Sequence, residues 1–483
     1  MQVHDKLFIG GEWVAPATSA TIDVVSPHSE EIVARVPEAS TTDIDKAVDA
    51  ARTAFDDGPW PHMTPAERAD VMARISQIIQ GRAEDYAETI TREMGTPISW
   101  SIMGQVFSST MVLDYYTELA RTFPFEEVRD GVLGNKALVR KEPVGVAGAI
   151  VPWNVPLFVT MLKLGPAMAA GATVVLKPAP ETPLDAFLLA EALLEAELPP
   201  GVVNIVPAGR EVGEHLVTHE RVDKIGFTGS TAAGKRIAAL CGEQLKRVTL
   251  ELGGKSAAII MDDADVGEVI PNLMGAALMN NGQACAAQTR ILASRDRYDD
   301  VVEALCDAVR LQQVGDPLDP ATTIGPLVAA RQRERVEGYI AKGQQEGAKI
   351  VVGGGRPSAQ STGWYVEPTV FVNVDNRMTI AREEIFGPVL AVIPFDDVDD
   401  AVRIANESDY GLSGSVWSSD IAAGVDVAKR VRTGTYTVNG FMIEFSCPFG
   451  GFKQSGIGRE LGPEGLAAYL EAKSISLPAG YEP

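Results

Sequence analysis

The sequence predicts an α/β protein with a doubly wound parallel sheet and a second βα-rich section. From residue 145 onward, short β-branched runs alternate with apolar helical stretches about every 25 residues. The runs are almost continuously apolar, as is typical of parallel strands covered by helices on both faces. The chain has 483 residues, which is enough for two or three domains of about 150 residues each.

Residues 1 to 120 are predicted to be mostly helical, after a hairpin-like opening at Trp13 and Val14. The clearest helix begins after Thr64, a candidate N-cap. Pro65 takes the first helical position and Glu67 completes the pattern of a capping box. The local sequence therefore fixes where this helix begins.

Five strands are predicted in the parallel sheet, with a helix over 185–197 between the second and the third: 146–151, 173–176, 202–206, 224–227 and 248–250. The second βα-rich section covers about 253–450. Its strands are predicted at 257–260, 389–393 and 435–438. Segments 138–142 and 473–477 fit neither the parallel sheet nor the second βα-rich section. We expect them to pair with each other or with another chain.

Composition and charge exclude several classes of protein. There are 65 acidic residues against 42 Lys and Arg, a formal net charge of -23 that repels nucleic acid backbones. The cysteines, Cys241, Cys285, Cys306 and Cys447, are widely spaced, as is typical of a reducing compartment. No signal-like start and no bilayer-length apolar stretch is found. We expect a cytoplasmic protein without nucleic acid, membrane or metal partners.

A glycine-rich element at 227–234 follows a predicted strand and opens a helix, which makes it a candidate anion site. Two phosphate-loop alternatives fail. Arg236 follows Lys235 where a Ser or Thr is required, and Gly254-Lys-Ser is preceded by Thr249 in place of the first glycine. A dinucleotide pyrophosphate suits the strand-helix context, although G-x-G-x-x-G is absent. A plain helix-capping turn is the alternative.

Three further residues are candidates for chemistry. Cys285 lies among small alanines in a polar, glycine-containing break, whereas Cys306 lies on an apolar helical stripe and is assigned to the core. Glu251 ends a strand, where partial desolvation would raise its pKa toward that of a general base. Asn154 is held between two prolines and suits an oxyanion. The alternatives are a packed cysteine, a solvated or paired glutamate, and an ordinary turn.

These elements, in this order, resemble the aldehyde dehydrogenase superfamily, the NAD(P)-dependent, hydrolytic kind, over essentially the whole chain. The resemblance rests on seven strings: Pro152-Trp-Asn-Val-Pro, Lys177-Pro-Ala, Phe227-Thr-Gly-Ser-Thr, Glu251-Leu-Gly-Gly-Lys-Ser, Gly282-Gln-Ala-Cys, Glu383-Glu-Ile-Phe-Gly-Pro and Pro448-Phe-Gly-Gly-Phe-Lys-Gln-Ser-Gly-Ile-Gly-Arg-Glu.

The resemblance implies a dinucleotide-binding domain formed by 1–120 and 143–252. It also implies a catalytic domain over 253–450 that carries Cys285. Segments 121–142 and 465–483 are implied to form a small oligomerisation hairpin with its partner strand, in a homodimer or homotetramer.

The resemblance also assigns roles to the candidate residues. Cys285 is implied to be the nucleophile, and Asn154 with the Cys285 backbone N–H is implied to hold the oxyanion. Glu251 is implied to activate the hydrolytic water. Lys163 and Glu460 match positions of a proton path, with an exposed ion pair as the alternative.

The implied cofactor is NAD, and its contacts are Trp153, Lys177, Gly229, Ser230, Thr231, Gly234, Leu252, Glu384 and Phe386. Many NAD-preferring members of the superfamily have a ribose-binding Glu three residues after the lysine, where this chain has Pro180. This departure leaves NADP open, and the sequence does not show whether Glu181 compensates.

The implied substrate is a small-molecule aldehyde. The residues implied to line its pocket are Val155, Val159, Leu162, Ile443, Phe445 and Phe449. Leu162 stands where many members have Trp, which widens the pocket. We therefore expect medium-chain, terpenoid or aromatic aldehydes. The alternatives are a CoA-acylating semialdehyde dehydrogenase, which generally lacks a base at the Glu251 position, and a non-catalytic structural protein of the same fold.

Overall fold

A computed structural model describes residues 2–478 and Tyr481. Its strands are β1 (Gln2–Val3), β2 (Leu7–Ile9), β3 (Glu12–Val14), β4 (Thr21–Val25), β5 (Ile32–Pro37), β6 (Glu126–Asp130), β7 (Lys136–Pro143), β8 (Val146–Ile150), β9 (Thr173–Lys177), β10 (Val203–Ile205), β11 (Lys224–Thr228), β12 (Arg247–Glu251), β13 (Ala257–Ile260), β14 (Arg290–Ser294), β15 (Lys349–Val352), β16 (Thr369–Val372), β17 (Val389–Phe395), β18 (Gly414–Trp417), β19 (Thr437–Val438), β20 (Gly456–Ile457) and β21 (Leu470–Ser476).

The helices pack on both faces of the sheets. They are α1 (Thr41–Asp56), α2 (Pro65–Gly81), α3 (Ala83–Met94), α4 (Ile98–Trp100), α5 (Ser108–Thr122), α6 (Pro156–Ala170), α7 (Leu184–Glu195), α8 (Arg210–Thr218), α9 (Thr231–Glu243), α10 (Val266–Ala277), α11 (Tyr298–Arg310), α12 (Ala330–Gln345), α13 (Thr379–Arg382), α14 (Val398–Asn406), α15 (Ile421–Arg430) and α16 (Gly462–Ala467). A π-helical turn, Ser101–Phe107, joins α4 to α5. None of the helices in the described residues is long and apolar enough to cross a membrane.

The first large sheet has the order β20-β12-β11-β8-β9-β10-β2-β3, and its five central strands are parallel. All five predicted strands are present, within one or two residues of their predicted ends, so the doubly wound prediction is confirmed. The chain order reverses between β8 and β11. In sheets of this type, ligands bind in the crevice outside the carboxyl ends of the strands at such a switch point.

The second large sheet has the order β15-β16-β17-β14-β13-β18-β19. Its strands are parallel except for the antiparallel pair β15 and β16. The prediction for 257–260 matches β13, and the other two predicted strands overlap β17 and β19. A second α/β section is therefore confirmed, while the domain boundaries stay a prediction.

A small third sheet, β21-β7-β6, contains both strands that the sequence set apart. They pair with each other in antiparallel register, with Lys473 opposite Arg140. Whether this sheet also meets another subunit stays a prediction. The end of the predicted 465–483 segment, residues 479–480 and 482–483, lies outside the described residues.

The first 120 residues are less helical than predicted. Thr64 caps α2 through a full capping box with Glu67, as predicted. The hairpin-like opening predicted at Trp13 and Val14 is present, since β3 pairs with β2 in antiparallel register, and this hairpin extends the first sheet beyond β10. The prediction missed β1, β4 and β5, because strands of two to six residues carry too few alternations to be recognised locally.

Candidate active site

Two cavities meet at Cys285, between the two large sheets. The first, which we call the apolar cavity, has a volume of about 290 Å³, and the second, which we call the cleft, about 260 Å³. Six residues line both of them: Asn154, Val155, Val159, Thr228, Glu251 and Cys285. A thiol, a carboxyl group and an amide thus converge where the cavities join.

Cys285 is placed by a tightly fixed loop after α10. Asn280 and Asn281 adopt left-handed backbone conformations, with φ of 54° and 61°. The Asn281 amide donates to the carbonyls of Gly95 and Pro326, and its oxygen accepts from the Gly325 N–H. The Asn and Gln residues before the cysteine therefore hold the loop in place. In the sequence, these polar neighbours suggested a polar pocket around the cysteine. In the structure, they are instead buried against the backbone.

Asn154 follows β8 and is held by the same loop. Its side-chain N–H donates to the Gln283 carbonyl at 2.8 Å, and Asn280 donates to the Asn154 carbonyl at 2.8 Å. The amide is 4% exposed and lines both cavities. Because an amide has two N–H groups, the second remains available for an oxyanion formed beside Cys285.

Glu251 is the last residue of β12 and is only 3% exposed. No side chain donates a hydrogen bond to either carboxylate oxygen in the described part of the chain. Burial, and after it the negative charge of Glu460, raises the pKa of Glu251 well above its ordinary value. The sequence alternative of a solvated or paired glutamate therefore does not describe this side chain.

Lys163 and Glu460 form a buried ion pair, and not the exposed pair considered from the sequence. Their Nζ and Oε1 atoms are 2.6 Å apart, and the side chains are 0% and 5% exposed. Lys163 also donates to Thr228 Oγ1 at 2.8 Å. The second carboxylate oxygen of Glu460 is buried without a partner among the described residues, and Glu460 lines the apolar cavity. A buried ion pair forms here because α6 carries Lys163 across the polar ends of β11 and β12.

The thiol of Cys285 lies in a surrounding that disfavours the thiolate. Burial, followed by the negative charges of Glu384 and Glu251, raises its pKa to about 12. The thiol therefore needs a base or a nearby positive charge before it can act as a nucleophile. Glu251 lines the same two cavities as Cys285.

The cleft is lined by six of the nine predicted cofactor residues: Trp153, Gly229, Ser230, Leu252, Glu384 and Phe386. Ser230 caps α9 by accepting a hydrogen bond from the Ala233 N–H, so the start of this 13-residue helix faces the cleft. Positive helix ends of this kind bind phosphate groups.

The other three predicted cofactor residues lie outside the cleft lining. Lys177 donates to the carbonyls of Pro178 and Ala208, and its pKa is lowered by burial to about 8. Thr231 donates to the Gln454 carbonyl. A side chain on Gly234 would come within 2.5 Å of Leu252, so α9 packs closely on the strand end.

Gln332 and Arg335 also line the cleft, although no sequence motif pointed to them. Gln332 donates to the Phe386 carbonyl at 2.7 Å, and Arg335 donates to the Glu384 carbonyl at 2.6 Å. They hold the segment in which Phe386 has a left-handed φ of 65° and its ring meets Trp153 edge-on. No local signal could reveal them, because each contact joins residues about 50 positions apart.

Glu181, the neighbour of Pro180, is engaged across the structure. Its carboxylate pairs with Arg331. Neither Glu181 nor Arg331 is among the described residues that line the cleft. The position of Pro180 itself supplies no polar side chain.

The apolar cavity is lined by all six predicted pocket residues, and also by Trp100, Gly104, Ser108, Phe158, Met279, Phe441 and Met442. Trp100 and Gly104 come from α4 and the π-helical turn, a region that the sequence did not connect with the site. A side chain on Gly104 would lie within 2.8 Å of the Trp100 ring, so the indole rests directly on this glycine. The cavity wall is thus mainly aromatic and aliphatic.

Comparison with known proteins gives a consistent result. The sequence profile described as "Aldehyde dehydrogenase family" matches residues 13–475. A geranial dehydrogenase of Castellaniella defragrans is 48% identical over 476 residues, covering 98% of this chain and 99% of that protein.

Solved structures are similarly close. An aldehyde dehydrogenase of Mycobacterium tuberculosis complexed with NAD+ is 49% identical with a TM-score of 0.98, covering 100% of this chain and 99% of that one. Aldehyde dehydrogenase C of Pseudomonas syringae, as a cysteine-to-alanine mutant complexed with NAD+ and octanal, is 42% identical with a TM-score of 0.96, covering 99% and 98%.

Proposed function

Since this chain belongs to the aldehyde dehydrogenase family, we propose that it oxidises an apolar aldehyde to the carboxylic acid with NAD+, through a cysteine thioester that water hydrolyses. One observation carries the proposal. Cys285, Glu251 and Asn154 all line the junction between the apolar cavity and the cleft, and the cleft contains the start of a helix. A nucleophile, a base and an oxyanion donor therefore face the one place where an aldehyde and a dinucleotide can meet.

The proposed cofactor is NAD, and the cleft fits it. The start of α9 with Gly229 and Ser230 would face the pyrophosphate, and Glu384 with Phe386 would face the nicotinamide riboside. When bound, the cofactor accepts the hydride and its positive ring favours the thiolate. NAD+ in the related structures supports this assignment, while Pro180 in place of the ribose-binding Glu keeps NADP as the alternative to be tested.

In the proposed mechanism, Glu251 takes the proton of Cys285, and the sulfur attacks the aldehyde carbon. The Asn154 amide and the Cys285 backbone N–H then stabilise the oxyanion of the thiohemiacetal. One such donor contributes about 3 to 4 kcal/mol to a transition state of this kind. The hydrogen bond from Asn154 to Gln283 holds the donor in place before the substrate arrives.

Hydrolysis completes the cycle. Loss of hydride leaves a thioester on Cys285. Glu251 first passes the proton of the thiol to the buried pair of Lys163 and Glu460, and then deprotonates a water that attacks the thioester. Raised pKa values let a carboxyl group accept and release protons near neutral pH. The buried pair of Lys163 and Glu460 then takes the proton from Glu251.

The proposed substrates are medium-chain, terpenoid or aromatic aldehydes. None of the described residues that line the cavity carries a cationic side chain for a phosphate or carboxylate substrate, and Leu162 leaves room that an indole would fill. Geranial and octanal, named for two of the relatives, belong to the same class of aldehyde. Activity confined to small charged aldehydes would contradict this choice.

We also propose a homodimer or homotetramer in the cytoplasm, with the sheet of β6, β7 and β21 at a subunit boundary. β6 is an exposed edge strand, which is a surface that another chain can extend. All four cysteines are free, which fits a reducing compartment. A monomer in sedimentation would refute the oligomer.

The test is an aldehyde panel with NADH absorbance as the readout. We expect NAD+-dependent turnover of octanal and geranial by the wild type and none by Cys285→Ala. Comparing NAD+ with NADP+ settles the cofactor. Product analysis with and without CoA separates hydrolysis from CoA acylation, and a wild type that oxidises no aldehyde would refute the proposal in favour of a non-catalytic role.

A further inference from the structure

The faces of β11 and β12 carry a buried row of polar side chains that continues beyond the active site. Alternation along the two strands points Ile225, Phe227 and Leu250 to an apolar core. The opposite face bears Lys224 and Thr228 on β11 and Thr249 and Glu251 on β12. Strands buried on both sides are normally apolar throughout, and buried polar groups cost stability unless they are paired. The row therefore calls for an explanation.

Lys224 lies at the far end of this row and is 1% exposed. Its Nζ donates to Thr249 Oγ1 at 2.6 Å and lies 4.6 Å from the centre of the Tyr469 ring. Among the described residues it has no carboxylate within ion-pair distance. The proposed mechanism so far gives this buried amine no task.

Tyr469 connects Lys224 to the ion pair of Lys163 and Glu460. A Cβ on Gly226, midway along β11, would lie 3.2 Å from the Tyr469 hydroxyl and 3.5 Å from Lys163 Cδ. The Tyr469 hydroxyl and the Lys163 chain therefore both lie over this glycine, while the ring of the same tyrosine covers Lys224. The polar groups form one buried cluster from Glu251 to Thr249.

Protons must leave this site during turnover. Oxidation of an aldehyde by NAD+ and water gives a carboxylate, NADH and two protons. Glu251 lines both cavities named above, and in the proposed reacting complex the substrate fills one and the cofactor fills the other. A route along the sheet would let the carboxyl group discharge while both are occupied.

We propose that Lys224 is the next proton carrier after the Lys163–Glu460 pair, and that protons leave the active site along β11 and β12 toward the edge of the sheet formed by β20. This inference rests on the proposed function. In each step a proton passes from the ion pair, through the Tyr469 hydroxyl, to the neutral amine of Lys224, which then gives it to water beyond Thr249. Thr249 lies close to the exposed Gly458, since a Cβ on that glycine would be 3.1 Å from Thr249 Cγ2 and 3.5 Å from Thr249 Oγ1.

The electrostatics agree with this role. Burial, and after it the positive charge of Lys163, lowers the pKa of Lys224 to about 7, against opposite contributions from Glu460 and from Cys241 on α9. Tyr469 is the remaining titratable group that packs on the amine. An amine of this kind exchanges protons at neutral pH, whereas an exposed lysine stays charged.

The experiment compares Lys224→Met and Lys224→Arg with the wild-type enzyme in stopped flow. NADH absorbance reports the first turnover, and a pH indicator in weak buffer reports protons that reach the solvent. We expect Lys224→Met to keep the NADH burst rate per active site while proton release slows by about threefold or more. The burst amplitude counts folded sites, so a folding defect is measured separately.

Lys224→Arg distinguishes proton transfer from a fixed charge. The guanidinium keeps the positive charge but does not release its proton in proteins. We expect slow proton release in this variant as well. Normal release with arginine would overturn the proposal in favour of a fixed charge, and so would release within about threefold of wild type in Lys224→Met.

The matched control is Lys246→Met. Lys246 is a half-buried lysine that donates to the carbonyls of Val217 and His219, away from the row. We expect the rate of proton release by this variant to match the rate of its NADH burst, as in the wild type. If Lys246→Met slows release equally, the effect is not specific and the proposal fails. An active wild type with unaffected Lys224 variants refutes only the proton route, whereas a wild type that oxidises no aldehyde refutes the proposed function.

Discussion

Replacing Glu251 with glutamine removes the proposed base and leaves its shape unchanged. The side chain is 3% exposed and accepts no hydrogen bond from another side chain among residues 2–478, so the amide of glutamine displaces no such partner. Its pKa is raised, mainly by burial, so the folded state keeps a proton that the unfolded chain loses near its ordinary pKa of 4.5. Ionisation therefore reduces the stability of the wild type as pH rises above about 4.5.

The size of the kinetic effect follows from the role. A positioned general base contributes about 10² to 10⁴ in rate, which corresponds to about 3 to 5 kcal/mol. We expect kcat of Glu251→Gln, measured as steady-state NADH formation, to fall by that factor at neutral pH. We expect its melting temperature to equal or exceed that of the wild type, because the amide never ionises in the buried site.

An exposed carboxylate provides the control. Glu268→Gln, near the start of α10, should leave both kcat and the melting temperature unchanged. If kcat of Glu251→Gln stays within about tenfold of the wild type, the base assignment is wrong. A lower kcat together with a strongly reduced melting temperature would instead point to a structural role for Glu251.

Three further predictions follow from the same geometry. Asn154→Ala removes the oxyanion donor, and we expect kcat to fall by about 10² to 10³; an unchanged steady-state kcat would contradict this. Leu162→Trp fills part of the apolar cavity, and we expect kcat/KM for octanal to fall about tenfold or more relative to acetaldehyde; an unchanged ratio would show that Leu162 does not set the space. Burial raises the pKa of Asp185 to about 7, so the folded state keeps a proton that the unfolded chain loses near pH 4 and stability declines between these values. We expect the free energy of unfolding, measured with urea, to fall less between pH 5 and pH 8 in Asp185→Asn than in the wild type. An equal fall in both proteins would refute the assignment.

Much of this protein could be predicted from local sequence. Thr64, Pro65 and Glu67 determine the start of α2 through contacts within one turn. Apolar runs place the parallel strands because continuous hydrophobicity over five residues suits a strand covered on both faces. Cys285 and Glu251 were identified because each lies in a short, distinctive string at the end of an element.

Other features depend on contacts that only the tertiary structure creates. The Lys163–Glu460 pair joins residues 297 positions apart, and its burial rules out the exposed ion pair that the sequence had left as the alternative to a proton path. Gln332 lies on a helix whose sequence shows no link to Phe386, yet it holds the Phe386 carbonyl. Local sequence determined which segments form helices and strands, since capping and hydrophobic patterning act over a few residues. Desolvation, pKa shifts and the row that ends at Lys224 were decided by packing, because they depend on which distant groups share a space closed to water.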